Sequence, residues 1–131
     1  MAKQNVWDGM SNGHRCRVRT ATTAHKACTT KGRVVALNAN NGTVLWSTAT
    51  VPSGYSGASV WSSGPVVDES RHTVFVTSGN NYSNPTTEAY LTCIAAGNSV
   101  AACQSPEDYA DSVLALDSQT GAVKWGKRLM Q

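Results

Sequence analysis

The sequence contains little charge, few aromatic residues and no long apolar run. Charged residues make up 15% of the 131 positions, and Phe, Trp and Tyr together make up 7%. A run of about 18 apolar residues is absent, which excludes a membrane-spanning helix. The first residues also lack the apolar core of about 7–15 residues that a secretory signal peptide requires. Short aliphatic and aromatic blocks nevertheless recur after residue 33, and the length permits one ordinary domain.

Positive charge is concentrated in the amino-terminal quarter of the chain. The net charge is +3, but residues 1–33 contain seven of the 11 basic residues and one of the 8 acidic ones. We therefore divide the chain into an irregular basic arm, residues 1–31, and a repeat region, residues 32–131. The arm has no strand or helix periodicity, so disorder is expected, with a phosphate-binding arm as the alternative. Because it lacks interleaved aromatic residues, nucleic-acid binding is not expected.

The four cysteines form no CxxC pair and are Cys16, Cys28, Cys93 and Cys103. Cys16 and Cys28 lie near His14 and His25, but this spacing is not usual for zinc. Cys93 and Cys103 lie in a polar stretch rich in Ala, Gly and Ser, where a disulfide would close a loop in an oxidising compartment. Two free thiols in that loop are the alternative.

Residues 34–46 and 113–125 repeat one pattern at an offset of 79 positions. Each copy predicts a strand, a polar turn containing Gly and a second strand, because Gly accepts the positive φ of tight turns. A small Ala would let an aromatic ring approach, Gly would expose its peptide face, and Trp would stack there and donate its indole N–H to backbone. The residues assigned to this structural docking are Ala36, Gly42, Trp46, Ala115, Gly121 and Trp125.

Two further strands are predicted at about 63–67 and 73–78. Residues 33–49 then form the end of one four-stranded antiparallel unit, and residues 60–129 form a second unit with an insertion at 82–110. Such units in series predict an all-β fold of about one and a half β-propeller blades. Because this number cannot close a ring, we expect exposed strand edges, self-association or a fragment of a longer parent.

The two Ala-x-(Asp/Asn)-x-x-x-Gly-x-x-x-Trp motifs resemble the tryptophan-docking repeat of quinoprotein alcohol dehydrogenases. That family has eight-bladed propellers that bind pyrroloquinoline quinone and, usually, calcium. Residues 51–83 are similar to its polyvinyl-alcohol-dehydrogenase-like branch, and the resemblance covers about residues 28–131. It implies oxidation of small or polymeric alcohols by hydride transfer to the quinone. It also implies a periplasmic or secreted location.

The resemblance assigns two site residues. Trp61 matches the Trp that forms the floor for the quinone, and Asn80 matches the Asn whose side-chain carbonyl binds calcium. The alternatives are a docking or core Trp and an ordinary turn Asn.

Other family residues are not matched in this sequence. The catalytic Asp, the Glu ligand of calcium and the contacts to the quinone carboxylates are missing, so we assign no catalytic residue. Glu88, Glu107 and Asp108 are expected to face solvent. The sequence therefore predicts part of a quinoprotein dehydrogenase that is inactive alone, or else a non-catalytic scaffold or interaction module.

Overall fold

The computed structural model describes residues 30–60 and 64–129. Residues 1–29 of the basic arm, which include Cys16 and Cys28, lie outside the described residues, and so does Trp61. In chain order, the elements are β1 Arg33–Leu37, β2 Val44–Ala49, β3 Val66–Asp68, β4 Thr73–Thr77, α1 Glu88–Ala95, α2 Val100–Cys103, β5 Ser112–Asp117 and β6 Val123–Arg128. In the described part of the chain, no helix is long and apolar enough to cross a membrane.

The strands form two antiparallel sheets. Strands β1 and β2 form a two-stranded sheet, and the second sheet has the order β3-β4-β5-β6. Neighbours in the larger sheet are also neighbours among the strands of the chain, with the helical insertion between β4 and β5. This arrangement confirms the predicted all-β fold of about one and a half four-stranded antiparallel blades.

The repeated sequence produces two hairpins with the same register. Ala36 pairs with Trp46 in the first hairpin, and Ala115 pairs with Trp125 in the second. In both hairpins the register shifts immediately after the Ala, which indicates a β-bulge. The turn glycines adopt φ angles of 74° and 75°, a region that glycine enters without steric cost. Equivalent residues therefore have equivalent local geometry.

Trp46 joins the two sheets by docking on the second hairpin. Its indole Nε1 donates a hydrogen bond to the Ser118 carbonyl at 3.1 Å. Its ring lies so close to Gly121 that a Cβ at this position would stand 2.5 Å from Cε3 of Trp46. The Thr48 hydroxyl donates to the Gly121 carbonyl at 2.6 Å. Trp46 therefore docks on Gly121 and joins the two sheets.

The core lies between the two sheets. Alternate residues of the strands point into it, as expected for sheets with one buried face. The buried members are Val34, Ala36, Trp46, Val60, Val74, Val76, Leu114 and Leu116. Ala115 is also fully buried, but it lies on the opposite face of β5 from Leu114 and Leu116 and is not one of these core members. Burial of these small and aliphatic side chains is the main force that holds the two sheets together.

The other two docking residues make no docking contact with the part of the chain that the structure describes. Trp125 is 49% exposed, and its ring contacts Phe75 with centroids 5.9 Å apart. Gly42 has no atom within 4 Å of the position that a Cβ would occupy. The interface between the two sheets contains one docking Trp and one docking Gly, Trp46 and Gly121. Trp125 and Gly42 therefore lie on the two outer faces.

The stretch around Cys93 and Cys103, expected to be a loop, contains two short helices, α1 and α2. The hydroxyl of Thr87 accepts a hydrogen bond from the backbone of Tyr90 and caps α1. Ser99 caps α2 in the same way. These caps satisfy backbone donors at the helix starts, and Ala and Leu favour helix in between. A disulfide joins Cys93 in α1 to Cys103 at the end of α2.

Candidate functional site

The two long connections of the described chain meet at one end of the sheets. Residues 50–65 lead from β2 to β3, and residues 78–111 lead from β4 to β5. Because β3 and β4 are antiparallel, both connections lie at the same end, which we call the long-loop end. The Ala58 N–H donates to the Asn80 carbonyl at 2.8 Å, and the Gly79 N–H donates to the Ser59 carbonyl at 2.9 Å.

Asn80 lies at this end, shortly after β4, and its side chain is exposed. Its Nδ2 donates to the carbonyl oxygen of Asn81 at 2.7 Å. Its Oδ1 accepts no hydrogen bond from another described residue. An exposed amide oxygen held by its own Nδ2 is suited to bind a hard cation.

Asn81, the next residue, belongs to a buried polar network. Its Nδ2 donates to Oδ2 of Asp108 at 2.8 Å, and Nη2 of Arg128 donates to the same oxygen at 2.9 Å. The Asp108 side chain is 0% exposed. Arg128 also donates from Nη1 to the Gln104 side chain. The expectation that Asp108 faces solvent is therefore wrong, because the Arg128 guanidinium compensates its burial.

Sequence reasoning missed this network because its members are distant along the chain. Asp108 follows Glu107 directly, and nothing in the local pattern distinguishes the two carboxylates. Glu107 is exposed as expected, and so is Glu88. Asp108 differs from Glu107 because the fold places Arg128, at the end of β6, where its guanidinium donates to the Asp108 carboxylate. The remaining oxygen of the Asn81 amide, Oδ1, is buried without a hydrogen-bond partner among the described residues.

Hydroxyl groups form a second set of contacts at the long-loop end. The Ser59 hydroxyl lies 2.7 Å from the Tyr82 hydroxyl, and the Ser56 hydroxyl lies 2.6 Å from that of Ser83.

Burial raises the pKa of the nearby Tyr109 phenol, and the negative charge of Glu107 raises it further. The Tyr109 phenol therefore stays protonated and uncharged at physiological pH.

These residues could supply only part of the calcium site that the sequence predicts. Calcium takes six to eight oxygen ligands, and Asn80 offers one neutral oxygen. Within residues 30–60 and 64–129, no three His, Cys, Asp or Glu side chains are grouped so that they could hold a metal ion. Trp61, assigned to the quinone floor, lies outside the described residues, so its geometry adds nothing to this test. A complete site would need ligands other than those described.

Comparison with known proteins gives consistent matches. A family model, PQQ_2, described as outer membrane protein assembly factor BamB, matches residues 10–127. A polyvinylalcohol dehydrogenase of Sphingopyxis sp. (strain 113P3) is 28% identical over 95% of this chain and 18% of its own length. A polyvinylalcohol dehydrogenase of a Pseudomonas species is 29% identical over 76% of this chain and 15% of its own. The chain thus spans less than a fifth of these relatives.

A solved structure has the same fold. The quinohemoprotein alcohol dehydrogenase ADHIIG of Pseudomonas putida HK5 superposes with a TM-score of 0.54 and 15% sequence identity. The match covers 80% of this chain and 17% of that protein. At this identity the likeness concerns the fold, and it agrees with the blade arrangement described above.

Proposed function

The chain belongs to the PQQ_2 family of PQQ-like repeat proteins, and from this premise we propose that it forms part of the propeller of a quinoprotein alcohol dehydrogenase. The observation that carries the proposal is the similarity to a polyvinylalcohol dehydrogenase over 95% of the chain. The docked hairpins and the long-loop end support it. The substrates would be small or polymeric alcohols. When bound, pyrroloquinoline quinone would accept the hydride that the alcohol loses.

Asn80 is proposed to bind calcium through Oδ1. The exposed position supports this role, because the amide oxygen can reach a ligand outside the blade. The Asn80 backbone carbonyl, bonded to the Ala58 N–H, and its Nδ2, bonded to the Asn81 carbonyl, restrict its motion. The neutral amide oxygen would add no charge to the site, so carboxylates from other parts of the propeller would balance the cation.

Trp61 is proposed to form the floor on which the quinone stacks. It belongs to the connection between β2 and β3, which is bonded to Asn80 through the Ala58 backbone. An indole offers a large rigid apolar face to a planar cofactor. Trp61 and Asn80 would therefore contribute to one site from two adjoining connections.

The proposed contribution is partial. The catalytic Asp and the Glu ligand that the family resemblance implies are not matched, and the chain spans 18% of the length of the Sphingopyxis relative. We therefore expect no alcohol oxidation by this chain alone. A periplasmic or secreted location is part of the proposal. The disulfide between Cys93 and Cys103 supports it, because such bonds persist in oxidising compartments.

Quinone titration in calcium tests this function. We expect weak, saturable quenching of tryptophan fluorescence by pyrroloquinoline quinone in millimolar calcium. Trp61→Phe and Asn80→Ala should weaken the quenching several-fold, and Asn84→Ala, a change at an exposed asparagine, should leave it unaltered. Equal quenching in all four proteins would overturn the assignment of both residues.

A second candidate is a non-catalytic interaction module that self-associates through strand edges. The family description as an outer membrane assembly factor favours it. Edge strand β3 also exposes Val66 and Val67, at 63% and 46%. Exposed apolar edges template pairing with another strand. Light scattering over a concentration series tests this candidate, with Val66→Lys expected to reduce association. A monodisperse monomer at every concentration would argue against it.

A further inference from the structure

Two tryptophans at equivalent positions have very different environments. Trp46 and Trp125 pair with the first Ala of their hairpins in the same register, followed by the same bulge. Trp46 is 8% exposed because it docks on Gly121, whereas Trp125 is 49% exposed. The indole of Trp125 therefore presents an apolar face with the same local geometry as that of Trp46, which docks on Gly121.

The matching acceptor is also present and open. The turn before Gly42 has the same backbone hydrogen bonds as the turn before Gly121, since the Gly42 N–H donates to Asn38 and the Gly121 N–H donates to Asp117, each at 2.8 Å. No atom of the described residues lies within 4 Å of a Cβ built at Gly42. Residues 38–43 carry no charged side chain that would oppose an incoming indole. Among the residues that the structure describes, one copy of the chain thus carries an indole face and an acceptor turn that make no docking contact.

We propose that Trp125 of one copy docks on the Gly42 turn of a second copy, head to tail. The contact between Trp46 and Gly121 serves as the template. At the offset of 79 residues, the acceptor that corresponds to the Ser118 carbonyl is the Ala39 carbonyl, which would accept from the Trp125 indole N–H.

The second polar contact of the template also has a counterpart. Lys127 corresponds to Thr48, whose hydroxyl donates to the Gly121 carbonyl. The Lys127 ammonium would therefore donate to the Gly42 carbonyl of the second copy. A lysine can replace the hydroxyl here because both groups are donors, and the ammonium makes the stronger charge-assisted bond.

The geometry makes this contact heterologous. Each docked pair still carries one free Trp125 face and one free Gly42 turn, so association continues until a ring closes or a chain of copies forms. Pairing through the β3 edge would instead be independent of both residues. The proposal does not depend on quinone binding, and its test contains no quinone.

The test compares oligomer distributions by sedimentation velocity over a concentration series. The wild-type protein should form species larger than dimers as its concentration rises. Trp125→Ala removes the docking ring, and Gly42→Asn keeps the left-handed turn that Asn tolerates while placing a Cβ against that ring. Each should raise the concentration needed for association at least tenfold. Leu91→Ser, at an exposed residue of α1, is the matched control and should behave as wild type.

A mixing experiment identifies the head-to-tail arrangement. The Gly42→Asn protein keeps its Trp125 face, and the Trp125→Ala protein keeps its Gly42 turn. A mixture of the two should therefore form a one-to-one heterodimer and nothing larger, although each protein alone stays monomeric. Circular dichroism checks that both variants are folded. Wild-type association in either variant, or a mixture without heterodimer, would overturn the proposal, and a wild-type protein that stays monomeric would do the same.

Discussion

Gly121→Ala should destabilise the protein more than Gly42→Ala, although both changes replace a turn glycine of the same conformation. The φ angles of the two residues are 75° and 74°. At Gly121 the new Cβ would meet Trp46, with Cε3 at 2.5 Å and Cδ2 at 2.6 Å. At Gly42 the new Cβ would meet no atom of residues 30–60 and 64–129 within 4 Å. The pair therefore separates the cost of backbone strain from the cost of disturbed docking.

The magnitudes follow from these contacts. A left-handed conformation costs an L-residue about 1–2 kcal/mol, and both variants incur this cost. Overpacking against Trp46 adds about 1–3 kcal/mol in Gly121→Ala alone. If Trp46 instead moves away until it is as exposed as Trp125, its exposure rises from 8% to 49%. That change uncovers about 100 Å² of the indole, worth about 2.5 kcal/mol. Either response predicts a similar difference.

Urea denaturation at low micromolar concentration measures the effect, with tryptophan fluorescence and far-ultraviolet circular dichroism as the two probes. We expect the free energy of unfolding to fall by about 2–5 kcal/mol in Gly121→Ala and by about 1–2 kcal/mol in Gly42→Ala. The low concentration suppresses any contact between copies. Equal losses in the two variants would refute the docking of Trp46 on Gly121 as a stabilising contact.

Three further changes test other contacts. Asp108→Asn should lower the free energy of unfolding in urea by about 3 kcal/mol, because it removes the buried partner of a guanidinium. The Asp68 carboxylate has a pKa of about 2, lowered chiefly by the Ser70 hydroxyl. The stability that it adds is present above about pH 4 and falls as the pH approaches 2, so Asp68→Asn should reduce the difference between unfolding midpoints at pH 6 and pH 2. Replacing Cys93 and Cys103 together by Ser should cost about 3 kcal/mol in the same denaturation assay, as expected for a loop of about ten residues.

The hairpins and the docking contact could be predicted because local sequence determines them. The turn glycines, the alternating aliphatic residues and the repeated Trp each specify a short-range geometry. The repeat predicts the packing between units, because a pattern that occurs twice in series indicates a structural unit that packs against the next copy. The contact between Trp46 and Gly121, 75 positions apart, is of the predicted kind, in which a Trp ties one unit to the next. The repeat does not predict that Trp125 and Gly42 both lie outside the interface between the two sheets.

The insertion could not be predicted in the same way. Its Ala, Gly and Ser residues suggest a loop, whereas Thr87 and Ser99 cap two short helices. Cap residues and turn residues are drawn from the same small polar set, so composition alone does not separate them. Burial of Asp108 depends on a strand that ends 20 residues later, at Arg128. Contacts of this kind arise from the assembled fold.

The contacts around Asn80 support its proposed ligand role. Its backbone carbonyl is held by Ala58 from the preceding connection, and its neighbour Asn81 is held by the buried carboxylate of Asp108. Arg128 fixes that carboxylate from the last strand. A solvent-exposed turn does not require buried polar groups beside it. Each such group loses its hydration on burial, which costs free energy. A metal ligand does require such groups, since its oxygen must keep one position relative to ligands on other parts of the propeller. Asp108→Asn should therefore weaken calcium-dependent quinone quenching even under conditions where the variant stays folded.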